Sequence, residues 1–189
     1  MNGAIALLIF VTLQRFVEFV WDWQNTQRLR ASGAVEFGGL HYPAMILVHA
    51  GWLAGLWVLG FDHEVVPAYL AAFLALEIGR YWVLATLGRR WTTRVMVLPG
   101  APLIERGPYR LMRHPNYVVV AGELVLVPLA LGLPIYALIF LALYAGAAYL
   151  RIQVENSALD WALAGAPGVV TANAGKSGRM PGAFTQVPK

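Results

Sequence analysis

The sequence predicts an all-α fold, a polytopic bundle of about five membrane helices. Three observations carry this. The 189 residues are 59% hydrophobic and only 13% charged, against about 25% charged in ordinary soluble domains. The apolar residues gather in long stretches instead of alternating with polar ones. The 14 Lys and Arg, all but Arg15 and Arg80, fall outside those stretches. One soluble core of this size cannot hide so much apolar surface, so the excess faces lipid. A single domain over residues 1–189 is the natural count.

The elements follow in order. The first apolar stretch, Gly3–Trp21, holds Arg15 and Glu18, three apart and so on one helix face. It lacks the basic start and small-residue cleavage site of a secretory leader. The second is Pro43–Phe61 and the third Val65–Leu87, which contains Glu77 and Arg80. Each of the three meets the ~17–20 residues a spanning helix needs. The fourth, Tyr117–Leu131, and fifth, Pro134–Leu150, are shorter, and only Gly132-Leu133 and Pro134 separate them. They read as a tight helical hairpin returning to the side it left.

Orientation comes from the basic residues. Arg28 and Arg30 follow the first stretch; Arg89, Arg90, Arg94, Arg106, Arg110 and Arg113 follow the third; Arg151, Lys176, Arg179 and Lys189 follow the fifth. The turn Asp62-His63-Glu64 is acidic. The basic face is expected to be cytosolic, with the N-terminus outside and the C-terminus inside. Charge clustered in loops, with no basic stripe, fits topology and not nucleic-acid binding. The segment Gly88–Asn116 carries several Pro and Gly, so it is expected to be a turning loop with little regular structure. The tail 161–189 is rich in Gly, Ala and Pro, and is expected either to be partly disordered or to pack over the cytosolic mouth.

Without cysteine, disulfides and thiolate-bound zinc are excluded. The four histidines are too scattered for a di-iron site. His49 reads as a buried hydrogen-bonding residue, and no metal is assigned. Tyr42, Trp52, Trp57, Trp82 and Trp91 read as interfacial or packing aromatics.

Charges inside membrane helices are expensive and need a reason. Arg15 with Glu18 reads equally as a self-neutralising packing pair. Glu77 and Arg80 are expected to line a polar cavity, Glu77 bracing Arg80 while the guanidinium fork holds an anionic or hydroxylated head group. Glu123 is expected to face the interior, near Arg80 or Arg151. The densest cluster is Gly107-Pro108-Tyr109-Arg110-Leu111-Met112-Arg113-His114-Pro115-Asn116-Tyr117. A basic loop there enters an apolar helix through Pro115, a position that suits Pro. Unpaired N–H groups of that first turn, beside Arg113 and His114, suit a small carboxylate or phosphate. A second cluster, Tyr149 to Asn156, contains Arg151 and Glu155 four apart. It is either a surface ion pair or, since an antiparallel hairpin brings Tyr117 beside Arg151, a wall of the same site.

The string Gly107-Pro108-Tyr109-Arg110…Arg113-His114-Pro115-Asn116-Tyr117, then a hairpin and Arg151-x-x-x-Glu155-Asn156, resembles the isoprenylcysteine carboxyl methyltransferase family and its wider group of phospholipid methyltransferases. The match spans about residues 77–160. Gln24–His49, with Asn25, Glu36 and His41-Tyr42-Pro43, resembles more weakly the small bacterial branch linked to alkylpyrone O-methylation. The resemblance implies a membrane enzyme using S-adenosylmethionine, bound on the cytosolic side, with a lipophilic acceptor arriving from the bilayer, here a bacterial inner membrane. By position it places Arg113, His114, Pro115 and Tyr117 on the cofactor's methionine carboxylate and adenosine part, with Glu155 at the hairpin's end. Tyr109 and Arg151 join this set. Asn156 stands where many relatives have a second Glu, a departure that leaves open how Glu155 and Asn156 divide the amine and ribose. Arg80, held by Glu77, is the expected acceptor-orienting pair, and O-methylation of an acidic carboxylate or hydroxyl the expected reaction. A lipid-amine N-methyltransferase and a non-enzymatic lipid-binding or assembly module are the alternatives; without an inverted repeat, a transporter fits less well.

Overall fold

A computed structural model describes residues 2–38 and 41–164. Five α-helices dominate it: α1 (Asn2–Ala31), α2 (His41–Leu59), α3 (Pro67–Leu87), α4 (Pro115–Ala130) and α5 (Pro134–Ala164). Among the described residues, α1, α2, α3 and α5 contain windows long and apolar enough to cross a membrane; α4 is shorter. The chain is an integral membrane protein of the all-α class.

Two helices are longer than their apolar stretches. α1 has 30 residues and α5 has 31, about 45 Å each at 1.5 Å per residue, against a ~30 Å hydrocarbon layer. Arg28, Arg30 and Arg151, expected in loops, instead lie on these extensions. A charge ends hydrophobicity, not helicity, and Gln, Arg, Leu and Ala all favour helix.

The last two helices form the expected hairpin. α4 ends where Gly132 takes φ 69°, allowing Leu133 N–H to bond back to Pro128 O at 2.8 Å. This is the closing pattern a left-handed glycine permits. Pro134 then starts α5, where its missing N–H costs nothing. Trp52, read as an interfacial or packing aromatic, is the latter: it is 3% exposed and donates to Leu124 O. His49 bonds to Met45 O at 2.7 Å.

The bundle interior carries a charged cluster. Arg80 of α3 donates through Nε to Glu18 at 2.5 Å and through a terminal nitrogen to Glu123 at 2.8 Å. Arg15 bonds Glu18 and Glu123 at 3.0 Å each. Two guanidiniums and two carboxylates thus alternate across α1, α3 and α4, each Arg touching both Glu. Burying such charges is tolerable only when each is paired and bonded. Glu77 does not brace Arg80 as expected; it accepts from Gln14 Nε2 at 2.5 Å. Arg80 has better partners on facing helices than the carboxylate one turn away.

The Gly88–His114 segment is more ordered than expected. It holds a 3-10 turn at Gly88–Arg90, strand β2 (Val95–Val97) and a second 3-10 turn at Gly107–Arg110. β2 pairs antiparallel with β1 (Val35–Phe37), Glu36 opposite Met96. Glu36 clasps this strap, taking Arg30 at 2.6 Å and Arg94 at 2.5 Å, while Arg94 also stacks 4.2 Å over the Tyr42 ring. Burial alone would raise the Glu36 carboxyl, but hydrogen bonds from Arg30 and Arg94 outweigh it and hold it below the ordinary 4.5. A carboxyl lowered by folding stabilises above its unfolded value, and that stability disappears as pH falls through the folded value. Acidification below 4.5 is therefore expected to loosen the strap. Amide exchange at 35–37 and 95–97, corrected for intrinsic rates, should accelerate there, and Glu36→Gln should abolish this added pH dependence.

Candidate functional site

The C-terminal ends of α1, α3 and α5 and the start of α4 gather at one end of the bundle, because contacts between them are direct. Asn25 of α1, fully buried, donates to Trp91 O at 2.8 Å and Gly88 O at 3.2 Å. Asp22 accepts from Thr93 N–H at 2.6 Å. Arg151 of α5 grips the same segment from the other side, bonding the carbonyls of Thr92 and Thr93. The 88–93 segment is thus pinned between two long helices before it enters β2. Asn25→Ala strands two carbonyls in the interior, at ~1–3 kcal/mol. It is expected to lower thermal stability by about that much and to speed amide exchange through 88–93.

Beyond this pin lies a cavity of about 510 Å³. Its walls include Leu29, Met96, Leu98, Ile104 and Leu159 on the apolar side and Tyr109, Arg110, Arg113, His114 and Glu155 on the polar side. Ligand pockets commonly span ~300–1,000 Å³. A smaller adjoining cavity, about 120 Å³, shares Tyr109, His114 and Glu155 and adds Asn116, Tyr117 and Arg151.

The local sequence explains the placement. Gly107 takes φ 56° and lies so close to α3 that a Cβ would come 2.7 Å from Thr86 Oγ1. Only glycine can begin the Gly107–Arg110 turn there, and that turn carries Tyr109 into the cavity. His114 is the N-cap residue of α4, with no side-chain cap, and Pro115 follows at its first position.

A relay crosses the polar wall. Tyr117 donates its hydroxyl to Glu155 at 2.5 Å and accepts from Arg151 Nε at 2.8 Å. His114 Nδ1 lies 3.9 Å from the same Glu155 oxygen. Arg151 and Glu155 do not form the helix-surface ion pair that their spacing allows; each meets Tyr117 instead. Burial pushes the Tyr109 phenol well above its usual range, and the nearby Glu155 charge adds to this, so it stays a neutral donor at physiological pH.

Of the residues singled out in the sequence, Tyr109, Arg113, His114 and Glu155 line the larger cavity and Tyr117 and Arg151 the smaller. Pro115 is buried behind them. Asn156 lines neither, and its Oδ1 is buried without a partner, as is that of Asn116. Arg80 and Glu77 are not brought to the cavities. Arg80 is 2% exposed and lies seven residues, roughly 10 Å along the helix, from cavity-lining Leu87. Of the tail 161–189, expected either to be partly disordered or to pack over the mouth, residues 161–164 continue α5 and the rest lies outside the described residues. Sequence reasoning missed Asp22, Asn25 and Leu29 as contributors from α1. Polar residues recurring at Asp22, Asn25 and Thr26, all buried, were the available signal.

The polar wall offers opposite charges to a small zwitterion: Arg113, His114 and the uncapped α4 start for a carboxylate, and Glu155 for an ammonium. The apolar wall opposite suits a flat ring. Residues 69–161 match the isoprenylcysteine carboxyl methyltransferase (ICMT) family model, a span running from α3 into the cavity-lining part of α5. The uncharacterized protein YpbQ of Bacillus subtilis (strain 168) is 36% identical over 159 residues, covering 82% of this chain and 95% of that protein. No solved structure matches the chain significantly. With the fold, the spans and both comparisons in agreement, this chain belongs to the isoprenylcysteine carboxyl methyltransferase family, a family of membrane methyltransferases.

Proposed function

We propose that the chain is an S-adenosylmethionine-dependent O-methyltransferase acting on a lipophilic carboxylate or acidic hydroxyl, and that the larger cavity holds the cofactor. The observation that carries this is the meeting of Arg113 and His114 with Glu155 across one hollow of about 510 Å³. Its donor set fits the cofactor. Arg113 and His114 take the methionine carboxylate; Glu155 takes the ammonium, its Oε1 having no protein partner among the described residues. Asn116, whose orphaned buried oxygen belongs to the adjoining smaller cavity, is available to a ribose hydroxyl after a rotamer change, and Leu29, Leu98 and Leu159 flank the adenine.

When bound, S-adenosylmethionine supplies an electrophilic methyl group on a sulfonium, which an acceptor oxygen displaces in line. The protein's share is alignment and exclusion of water. Tyr117 and Arg151 hold Glu155, the 88–93 pin fixes the β2 wall, and Met96, Leu98 and Ile104 keep the hollow apolar. An acceptor already ionised needs no general base. Arg80 serves the bundle in this reading, not the acceptor. An amine acceptor would need a carboxylate beside it, and neither Glu77 nor Glu123 lines either cavity. We further infer an N-terminus outside and a cavity facing the cytosol of a bacterial inner membrane, since the basic residues gather at the cavity end.

The test is transfer of labelled methyl from S-adenosylmethionine by the protein in lipid nanodiscs, offered prenylcysteine, alkylpyrone-type and lipid-amine acceptors in parallel. Label on the oxygen acceptors supports the proposal. Label confined to amines replaces it with N-methylation, and no transfer with no cofactor binding leaves a non-enzymatic module.

A further inference from the structure

The loop end of the bundle carries positive charge that the chain itself does not answer. Arg89, Arg90, Arg106, Arg110 and Arg113 are all exposed, and none forms an ion pair among the described residues. The ten acids show why. Glu18 and Glu123 are committed to Arg15 and Arg80, and Glu77 to Gln14. Asp22 is bonded to Thr93 and Glu36 to Arg30 and Arg94. Asp62 and Glu64 sit in the turn between α2 and α3, at the opposite end. Only Glu105, Glu155 and Asp160 remain near the loop, and the sequence beyond 164 adds no Asp or Glu.

The same segment shows large apolar side chains to its surroundings. Leu111 is 76% exposed, and Leu103 and Met112 are 45% exposed each. Leu111 and Met112 stand directly between Arg110 and Arg113. Leu103 forms part of the lip of the larger cavity. An exposed apolar group ringed by cations is the composition of a segment lying in a lipid interface, and unanswered arginines there attract anionic head groups. The segment joins α3 to α4, so it lies where those helices leave the hydrocarbon.

We propose that the 100–113 segment is a lipid-docking lip: Leu103, Leu111 and Met112 insert at the boundary between head groups and acyl chains, while Arg106, with Arg89 beside the segment, binds anionic phospholipid head groups, seating the cavity mouth on the bilayer. The occupant is the lipid surface, not free phosphate, because the apolar side chains need a hydrocarbon partner that phosphate lacks. The lip is independent of methyl transfer.

The chain has no cysteine, so Leu111→Cys gives one labelling position on an exposed side chain. A nitroxide attached there is read in vesicles of phosphatidylcholine and of an equal mixture with phosphatidylglycerol. In the mixture, collision with oxygen should rise and collision with an aqueous nickel complex should fall several-fold relative to phosphatidylcholine. High salt should reverse the shift, as should Arg89→Gln with Arg106→Gln, which lie outside both cavities. Inorganic phosphate added to phosphatidylcholine vesicles should leave the label unchanged. A label equally water-accessible in both vesicles overturns the lip. A label equally lipid-accessible in both, indifferent to salt and to the arginine variants, overturns its choice of anionic lipid.

Discussion

Arg80→Met is expected to destabilise the folded bundle by ~3–5 kcal/mol, because removing one partner from a buried ion cluster leaves the others uncompensated. Arg80 separates Glu18 from Glu123 and bonds both. Arg15 alone cannot neutralise two carboxylates, and the methionine supplies no donor. Glu123→Gln should be costly for the converse reason, since Arg15 and Arg80 both lose an anion. Glu77→Gln is the control: Glu77 forms no ion pair with a guanidinium, so the change removes no paired charge and should cost about 1 kcal/mol, the centre of the range for single substitutions. Unfolding in mixed micelles measures all three. Glu77→Gln as damaging as Arg80→Met would show that the charge balance drawn here is wrong.

Arg151→Ala is expected to weaken binding of S-adenosylhomocysteine by ~10–100-fold. Arg151 holds the Tyr117 hydroxyl and the carbonyls of Thr92 and Thr93 together. Charge-assisted hydrogen bonds of this kind contribute ~1.5–3 kcal/mol, and every 1.4 kcal/mol is about tenfold in affinity. Without it Tyr117 loses its orientation toward Glu155, and the 88–93 segment loses one of its two clamps. Arg151→Lys should restore little, because an ammonium cannot serve three acceptors along a planar fork. Isothermal titration measures the affinity, and amide exchange at 88–93 shows whether the loop loosens in step. Full recovery with lysine would reduce Arg151 to a simple positive charge.

The helices were legible in the sequence because lipid enforces long apolar runs, and the α4–α5 hairpin because Gly132 and Pro134 have few other uses. Helix ends were less legible. α1 and α5 continue past their apolar stretches through Arg28 and Arg151, where packing at the cavity and not hydrophobicity maintains the helix. The strands were invisible: Val35–Phe37 and Val95–Val97 are three residues each, too short for alternation to register. At the site, the Arg113–Tyr117 string and Glu155 could be read because chemistry constrains both residue type and spacing. Spacing along one helix misled at Glu77 and Arg80; at Arg151 and Glu155 it offered a surface ion pair, but the other reading, with the hairpin bringing Tyr117 beside Arg151, is the arrangement present. In both pairs a partner on another helix outcompetes the neighbour one turn away, and only tertiary structure supplies it. Glu123, read as facing inward near Arg80 or Arg151, does face inward and meets Arg80 and Arg15, since a carboxylate in a lipid-spanning helix has nowhere else to go.

The most direct measurement is calorimetric titration of S-adenosylhomocysteine into the detergent-purified wild type, His114→Ala and Glu155→Ala. Saturable one-to-one binding to the wild type is expected, with at least a tenfold loss in each variant, larger for Glu155→Ala, while unfolding temperatures stay close to wild type. Equal affinity in all three proteins would mean that the hollow between the loop and α5 is not where the nucleoside binds.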